Sequence, residues 1–267
     1  MLFKLHSAKK GVYYNRRPLN MTGNTELFSR KSDDYSRFRP AYPDAALAWL
    51  RAKTSGETVL DVGAGTGIFT RQLLKYFFDV AAVEPNADMR EKFRAALPEL
   101  RCLDTTGEDT GVAANSVDLI TVAQAFHWLD AGLFKSEAQR ILRPDGQAAI
   151  VWNTSLKSDF TIARNRVCQK YCPRFRSGHA GQHSIEEGDA FLRNEYFREV
   201  EVVAFDNPFT MDLEIFEGNM RSRSYALIPG DSDYDLFMAE LREVFERFSS
   251  SGKVVEPQET QIYFGTF

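Results

Sequence analysis

With 267 residues, 43% of them hydrophobic and 13% aromatic, the chain has material for one large domain with a substantial core. A formal net charge of −4 without a long basic run argues against nucleic acid as the main partner, and no uninterrupted apolar stretch reaches membrane-spanning length. Three cysteines (Cys102, Cys168 and Cys172) and four histidines suit reduced thiols in a cytoplasm better than a disulfide framework or a zinc site, so no metal is expected.

Residues 1–34 are polar and lack a sustained period or an apolar h-region, which reads as a mobile N-terminal extension rather than a secretory signal. Met21 is a second candidate start, and the domain is expected over residues 35–267. After Pro43, DAALAWLRAK carries a helical apolar stripe. TVLDVG (58–63) reads as a strand and IFTRQLLKYF (68–77) as a helix. DVAAVEP (79–85) is a second apolar run, and NADMREKFRAAL (86–97) opens with an Asn cap and spaces Met89, Phe93 and Leu97 on one helical face. LRCLD (100–104) and SVDLITVAQAF (116–126) are strand-like, LFKSEAQRIL (133–142) is helical, RPDG makes a turn, and QAAIVWN (147–153) is a fifth strand.

Near-continuous apolar strands separated by amphipathic helices predict an α/β fold with a mostly parallel sheet covered on both faces. After Asn153 the rhythm breaks. Residues 154–198 are mixed, with a loop at SGHAGQHS, and residues 211–248 are mostly helical around Pro229-Gly230-Asp231. EVEVVAFDNPF (199–209) and ETQIYFGTF (259–267) read as terminal strands closing one edge of the sheet.

The stretch VLDVGAGTG (59–67) sets glycines at 63, 65 and 67 between a strand and a helix, which permits a tight turn and close backbone approach by a ligand. Asp61 lies at the end of its strand, where open α/β sheets bind ligands. Glu84 ends the second strand, placed to accept hydrogen bonds from both hydroxyls of a ribose. The dinucleotide fingerprint G-x-G-x-x-G fits poorly, because the third glycine comes one place early and Ile68 stands where Gly or Ala is wanted. A nicotinamide-dependent oxidoreductase is disfavoured on that ground.

VLDVGAGTG, AVEPNADMR, SVDLITVAQAFHW and ILRPDGQAAIVWN, in that order, resemble the successive motifs of class I S-adenosylmethionine-dependent methyltransferases. The resemblance implies a Rossmann-like seven-stranded sheet whose last strand is antiparallel, and S-adenosyl-L-methionine as cofactor. Carried over residue by residue, it implies that Asp61, Gly63, Ala64, Gly65 and Gly67 hold the methionine part. It further implies that Glu84 takes the ribose, that Pro85 or Asn86, with Thr106-Gly107-Glu108, borders the adenine, and that Gln124 sits near the methionine or the transferred methyl. YSRFRPAYP (35–43), AFHWLD (125–130), IVWN (150–153) and RSRSYAL (221–227) resemble a small-molecule subgroup that includes the trans-aconitate methyltransferases. In that subgroup the opening segment, here with Tyr35 and Arg39, folds over the cofactor as a lid.

Methyl transfer from a sulfonium needs alignment and exclusion of water rather than an oxyanion hole. A carboxylate acceptor needs no base, only a cation to bind it, for which Arg39, Arg221 and Arg223 are candidates. His127 is placed to contact the acceptor, or to act as base for a hydroxyl or amine. Trp128 and Trp152 read as wall, Arg174 and Arg176 as loop surface, and His179 and His183 as loop residues. The expected activity is O-methylation of an acidic small molecule by a cytoplasmic enzyme. The alternatives are an amine, hydroxyl or carbon acceptor, or cofactor binding without turnover. AQAFHW stands where amino-methyltransferases of nucleic acid and protein carry an N-P-P-Y-like tetrapeptide, which speaks against such substrates.

Overall fold

A computed structural model describes residues 31–175 and 185–267 of the chain. Helices α1 (Ser32–Phe38) and α2 (Asp44–Lys53) lead into β1 (Thr58–Val62), α3 (Ile68–Leu73), β2 (Asp79–Val83), α4 (Ala87–Ala96) and β3 (Cys102–Leu103). Then come β4 (Val117–Ala123), a 3-10 turn at Phe126–Trp128, α5 (Ala131–Ile141), β5 (Leu142–Ser155) and α6 (Asp159–Tyr171). Helix α7 (Ile185–Phe191), β6 (Glu199–Asp206), β7 (Phe209–Met211), α8 (Leu213–Arg221), α9 (Tyr234–Phe248), β8 (Val254–Glu256) and β9 (Gln258–Thr266) complete the described chain.

Seven strands form one sheet in the order β3-β2-β1-β4-β5-β9-β6, and β7 pairs with β8 apart from it. The pairs β1–β2, β1–β4, β2–β3 and β4–β5 are parallel, while β9 runs antiparallel to both β5 and β6. The expected closing antiparallel strand is therefore β9, inserted between β5 and β6 rather than added outside them. In place of the predicted RPDG turn, these residues belong to β5 and form an irregularity in it. Val117 pairs with Leu142 and Leu119 with Gln147, so residues 143–146 loop out of register with β4.

The period-two alternation of β1 distributes the core. Leu60 and Val62 join a cluster with Phe134, Ala138 and Ile141 of α5, whereas Val59 faces Leu47 and Leu50 of α2 and Phe69 and Leu73 of α3. A third cluster lies off the sheet, where Phe160 and Val167 of α6 meet Phe216 and Met220 of α8 and Phe237, Leu241 and Phe245 of α9. The helices start where the sequence supplies acceptors. Asn86 Oδ1 accepts from Met89 N–H at 2.9 Å, Asp130 and Asp212 cap α5 and α8, and Ser158 with Thr161 forms a capping box on α6.

The packed body begins earlier than residue 35, which corrects the expectation for residues 31–34. Lys31 is buried and its Nζ donates to the carbonyls of Arg223 (2.6 Å) and Ala226 (2.7 Å). Arg221 grips Asp34 in two hydrogen bonds, at 2.9 and 3.2 Å, and Asn219 Nδ2 donates to Phe38 O at 3.1 Å. Gly218 lets α1 and α8 meet, since a Cβ there would lie 2.1 Å from Phe38 Cδ2. An isolated seven-residue helix is marginal in water, so these tertiary contacts are what order α1. Residues 1–30 of the predicted extension, and Arg176, His179 and His183, lie outside the described residues.

Candidate active site

The turn after β1 takes left-handed backbone at Gly63 (φ 68°), Gly65 (φ 59°) and Gly67 (φ 83°). The N–H groups of Gly63 and Ala64 both donate to Val83 O, at 2.8 and 3.1 Å, which pins the turn to the tip of β2. Space is as restrictive as φ, because a Cβ on Gly63 would lie 2.5 Å from that of Ala125.

Glu84 braces this turn from beneath. Its Oε2 accepts from Gly65 N–H and its Oε1 from Asn86 N–H, both at 2.8 Å. Burial pushes its carboxyl up, and the two backbone donors oppose the shift. Each oxygen retains a further lone-pair site, so bracing leaves room for a ligand hydroxyl. Arg90, itself buried, donates to Glu84 O at 2.9 Å and pairs with Asp104 at 2.6 Å, tying the tips of β2 and β3 together.

Asp61 is fully buried at the end of β1. Its Oδ2 accepts from Thr70 Oγ1 (2.5 Å) on α3 and its Oδ1 from Thr121 Oγ1 (2.8 Å) on β4. Burial raises the carboxyl to about 6 against the pull of both hydroxyls, with Glu84 adding repulsion. Gln124, just past β4, holds φ at 58°, a strained placement for a side-chain-bearing residue of the kind that collects at functional sites. Its Nε2 donates to Asn153 O at 3.0 Å.

These elements open onto one cavity of ≈ 480 Å³ at the C-terminal edge of the parallel strands. Asp61, Gly63, Ala64 and Gln124 line it, together with Tyr35, Arg39, His127 and Arg223. Trp128 and Trp152 also line it and flank His127, with ring centroids 4.5 and 5.3 Å away. Arg39 lies 4.9 Å over the Tyr35 ring and donates to Ser222 O at 3.3 Å, yet its buried Nε has no acceptor. Arg223 donates to Asn219 Oδ1 at 3.0 Å, and its buried Nε likewise has none.

Other expected site residues stand apart from the cavity wall. Gly65 and Glu84 bind each other beneath the turn, Gly67 starts α3 against Phe93 and Leu97, and Pro85 is exposed. Gly107 packs on Val62 and Leu129, Thr106 bridges Asp109, and Glu108 accepts from Asp130 N–H at 2.8 Å, so that loop supports the turn from the side. Arg221 is corrected as an acceptor-binding candidate. Its guanidinium is committed to Asp34, with Glu217 3.8 Å away. Arg174 is exposed, as expected.

Sequence reading missed Tyr42, Arg164 and Gln258, which also line the cavity. The usable signal was the reversal of the last strand, which brings its first residue to the ligand edge. Among the described residues no three His, Cys, Asp or Glu side chains gather as a metal site, and no helix is long and apolar enough to cross a membrane.

Residues 60–150 match the family described as Methyltransferase domain. An uncharacterized methyltransferase of Mycobacterium tuberculosis is 45% identical over 120 residues, which are 45% of this chain and 49% of the relative. The chain thus spans about half the length of that relative. An uncharacterized methyltransferase-like protein of Schizosaccharomyces pombe is 26% identical over 230 residues, 84% of this chain and 88% of the other. A solved candidate type II methyltransferase from Anaeromyxobacter dehalogenans superposes with a TM-score of 0.62 at 22% identity, covering 86% of this chain and 98% of that one. In this sheet β9 is reversed between β5 and β6. Residues 60–150 thus match a methyltransferase domain, and the chain as a whole has the fold of solved methyltransferases.

Proposed function

We propose that the chain transfers a methyl group from S-adenosyl-L-methionine to a small acidic molecule, with a carboxylate as acceptor. The observation that carries this reading is that the glycine turn with Asp61 and two guanidinium groups with spare buried donors line the same cavity. The residues fit the cofactor. Positive-φ glycines give backbone access, a buried anion at Asp61 suits its cationic methionine part, and Glu84 keeps lone pairs for a ribose. When bound, the cofactor supplies a sulfonium-activated methyl group.

The chain's own residues then have three tasks. Tyr35 in the middle of α1 and Arg39 at its C-terminal end close over the cavity and keep water out. Arg39 and Arg223 bind the acceptor anion and orient it; both Nε donors remain for it. Trp128 and Trp152 hold the His127 ring at the cavity wall, where it contacts the acceptor. An ionised carboxylate requires no proton removal, so no base is needed. The segment YSRFRPAYP, similar to the lid of small-molecule methyltransferases, supports the same reading.

The test is incubation with methyl-labelled cofactor, a panel of di- and tricarboxylic acids and a small-molecule extract, followed by mild base. Label released as methanol identifies a methyl ester. Base-stable label shifts the reading to a hydroxyl, amine or carbon acceptor with His127 as base. In the first case Arg223→Met is expected to raise KM for the acid about tenfold to a hundredfold while leaving cofactor Kd unchanged. Equal loss in cofactor binding and acceptor KM would count against a separate acceptor site.

A further inference from the structure

Because β9 runs against its neighbours, its first residue lies at the sheet edge where the cavity opens. That residue is Gln258, in register with Ser155 of β5 and only 6% exposed. Several polar groups around it are paired with one another. Glu256 takes Ser155 Oγ and the Arg164 guanidinium, while Thr260 Oγ1 and Asn207 Nδ2 converge on Asn153 Oδ1. Outside the β5–β9 ladder, Gln258 accepts at its backbone carbonyl from Asn207 N–H at 2.8 Å. Its side-chain Oε1 is buried and meets no donor, and the residue lines the cavity. A buried amide oxygen left open is a cost that a bound ligand can remove.

We infer that Gln258 reads the acceptor. The molecule methylated carries, besides the anionic group held by Arg39 and Arg223, a hydroxyl or amide N–H that donates to Gln258 Oε1. This rests on the anionic-acceptor reading above and narrows it to hydroxylated or amidated acids. The carboxamide is neutral and leaves the charge preference to the two arginines. Its role is discrimination, because a site built around a substrate donor strongly rejects the analogue that lacks it.

The test compares matched acids with and without the hydroxyl, malate against succinate and citrate against tricarballylate, in the label-transfer assay with the wild-type protein and with Gln258→Met. The wild type is expected to favour the hydroxy acids by about tenfold or more in kcat/KM, and Gln258→Met to lose that preference while retaining cofactor binding. A preference unchanged in Gln258→Met overturns the assignment. Ligand-free Gln258→Met is also expected to melt higher than the wild type, since an open amide oxygen is removed. A lower Tm means that the amide bonds within the protein and overturns the assignment whatever the acids show. If no acid accepts label and Arg223→Met leaves labelling of the extract unchanged, the anionic reading fails first. Discrimination lost at Arg223 but kept at Gln258 leaves the anionic reading standing and removes this one.

Discussion

Asp61→Asn is expected to raise the melting temperature of the ligand-free protein at pH 7 while weakening cofactor binding about a hundredfold, the loss typical of removing one partner from a buried charge pair. The two effects have one cause. Asp61 is fully buried, and the hydroxyls of Thr70 and Thr121 are its hydrogen-bond donors. Two neutral donors do not replace the hydration of a carboxylate, so its carboxyl rises from 3.8 to about 6. Between pH 4 and pH 6, roughly, the unfolded chain releases this proton while the native protein keeps it, so the native state binds more protons and stability falls as pH rises. Above the native value the penalty is complete, on the order of 3 kcal/mol. Asparagine keeps the shape and removes the charge, and either threonine hydroxyl can turn to accept from the new amide.

The Tm difference between Asp61→Asn and wild type should therefore be near zero at about pH 4 and grow to several degrees by pH 7, which differential scanning calorimetry across that range would show. A cation beside the carboxylate reverses the logic. Cofactor binding should release protons between pH 4 and pH 6, roughly, and tighten with pH until the native carboxyl is ionised. Calorimetric titration in buffers of different ionisation enthalpy measures that release. A pH-independent Tm difference would remove the explanation, and pH-independent cofactor affinity would place the cationic part of the ligand elsewhere.

What the sequence made legible is what short-range patterning controls. The glycine spacing at 63, 65 and 67, the acids at the ends of β1 and β2, and the alternation of apolar strands with amphipathic helices are each visible within about ten residues. The structure brings Asp61 and the turn together as those patterns imply. Contacts between distant segments were less legible. Nothing local in RSRSY tells Arg221, committed to Asp34, from Arg223, which faces the cavity. The difference comes from the end of α8, after which the chain turns and sends neighbouring side chains in different directions. Glu84 shows the same limit, since its position at the strand tip was legible while its hold on Gly65 N–H depends on how the turn folds back. Gln258 was hidden because its place at the cavity follows from strand direction, a property of the whole sheet.

The cavity wall beyond Arg223 contains an ion pair whose disruption should have the largest effect on stability. Arg164 and Glu256 meet at 2.6 Å with side chains 3% and 1% exposed, and Ser155 Oγ donates to the other carboxylate oxygen. Burial alone would raise the Glu256 carboxyl, but Arg164 and Arg223 outweigh it and hold the carboxyl low. Its contribution is therefore present above the unfolded carboxylate value and lost as pH falls through the lower native one. Glu256→Gln leaves Arg164 buried, charged and unneutralised, which typically costs about 3–5 kcal/mol, to be read from urea unfolding at pH 7. A loss below about 1 kcal/mol would mean that water or a rearranged partner satisfies Arg164.

The functional consequence runs the other way. Arg164 also lines the cavity, and Glu256 is what keeps it from adding to the field of Arg39 and Arg223. In the folded Glu256→Gln variant the cavity gains an uncompensated cation, so the anionic acceptor proposed above should bind more tightly even though the protein unfolds more readily. Tighter acid binding in a less stable protein would show that the pair tunes the charge of the site. Weaker binding in step with stability would show that it only holds the wall in place.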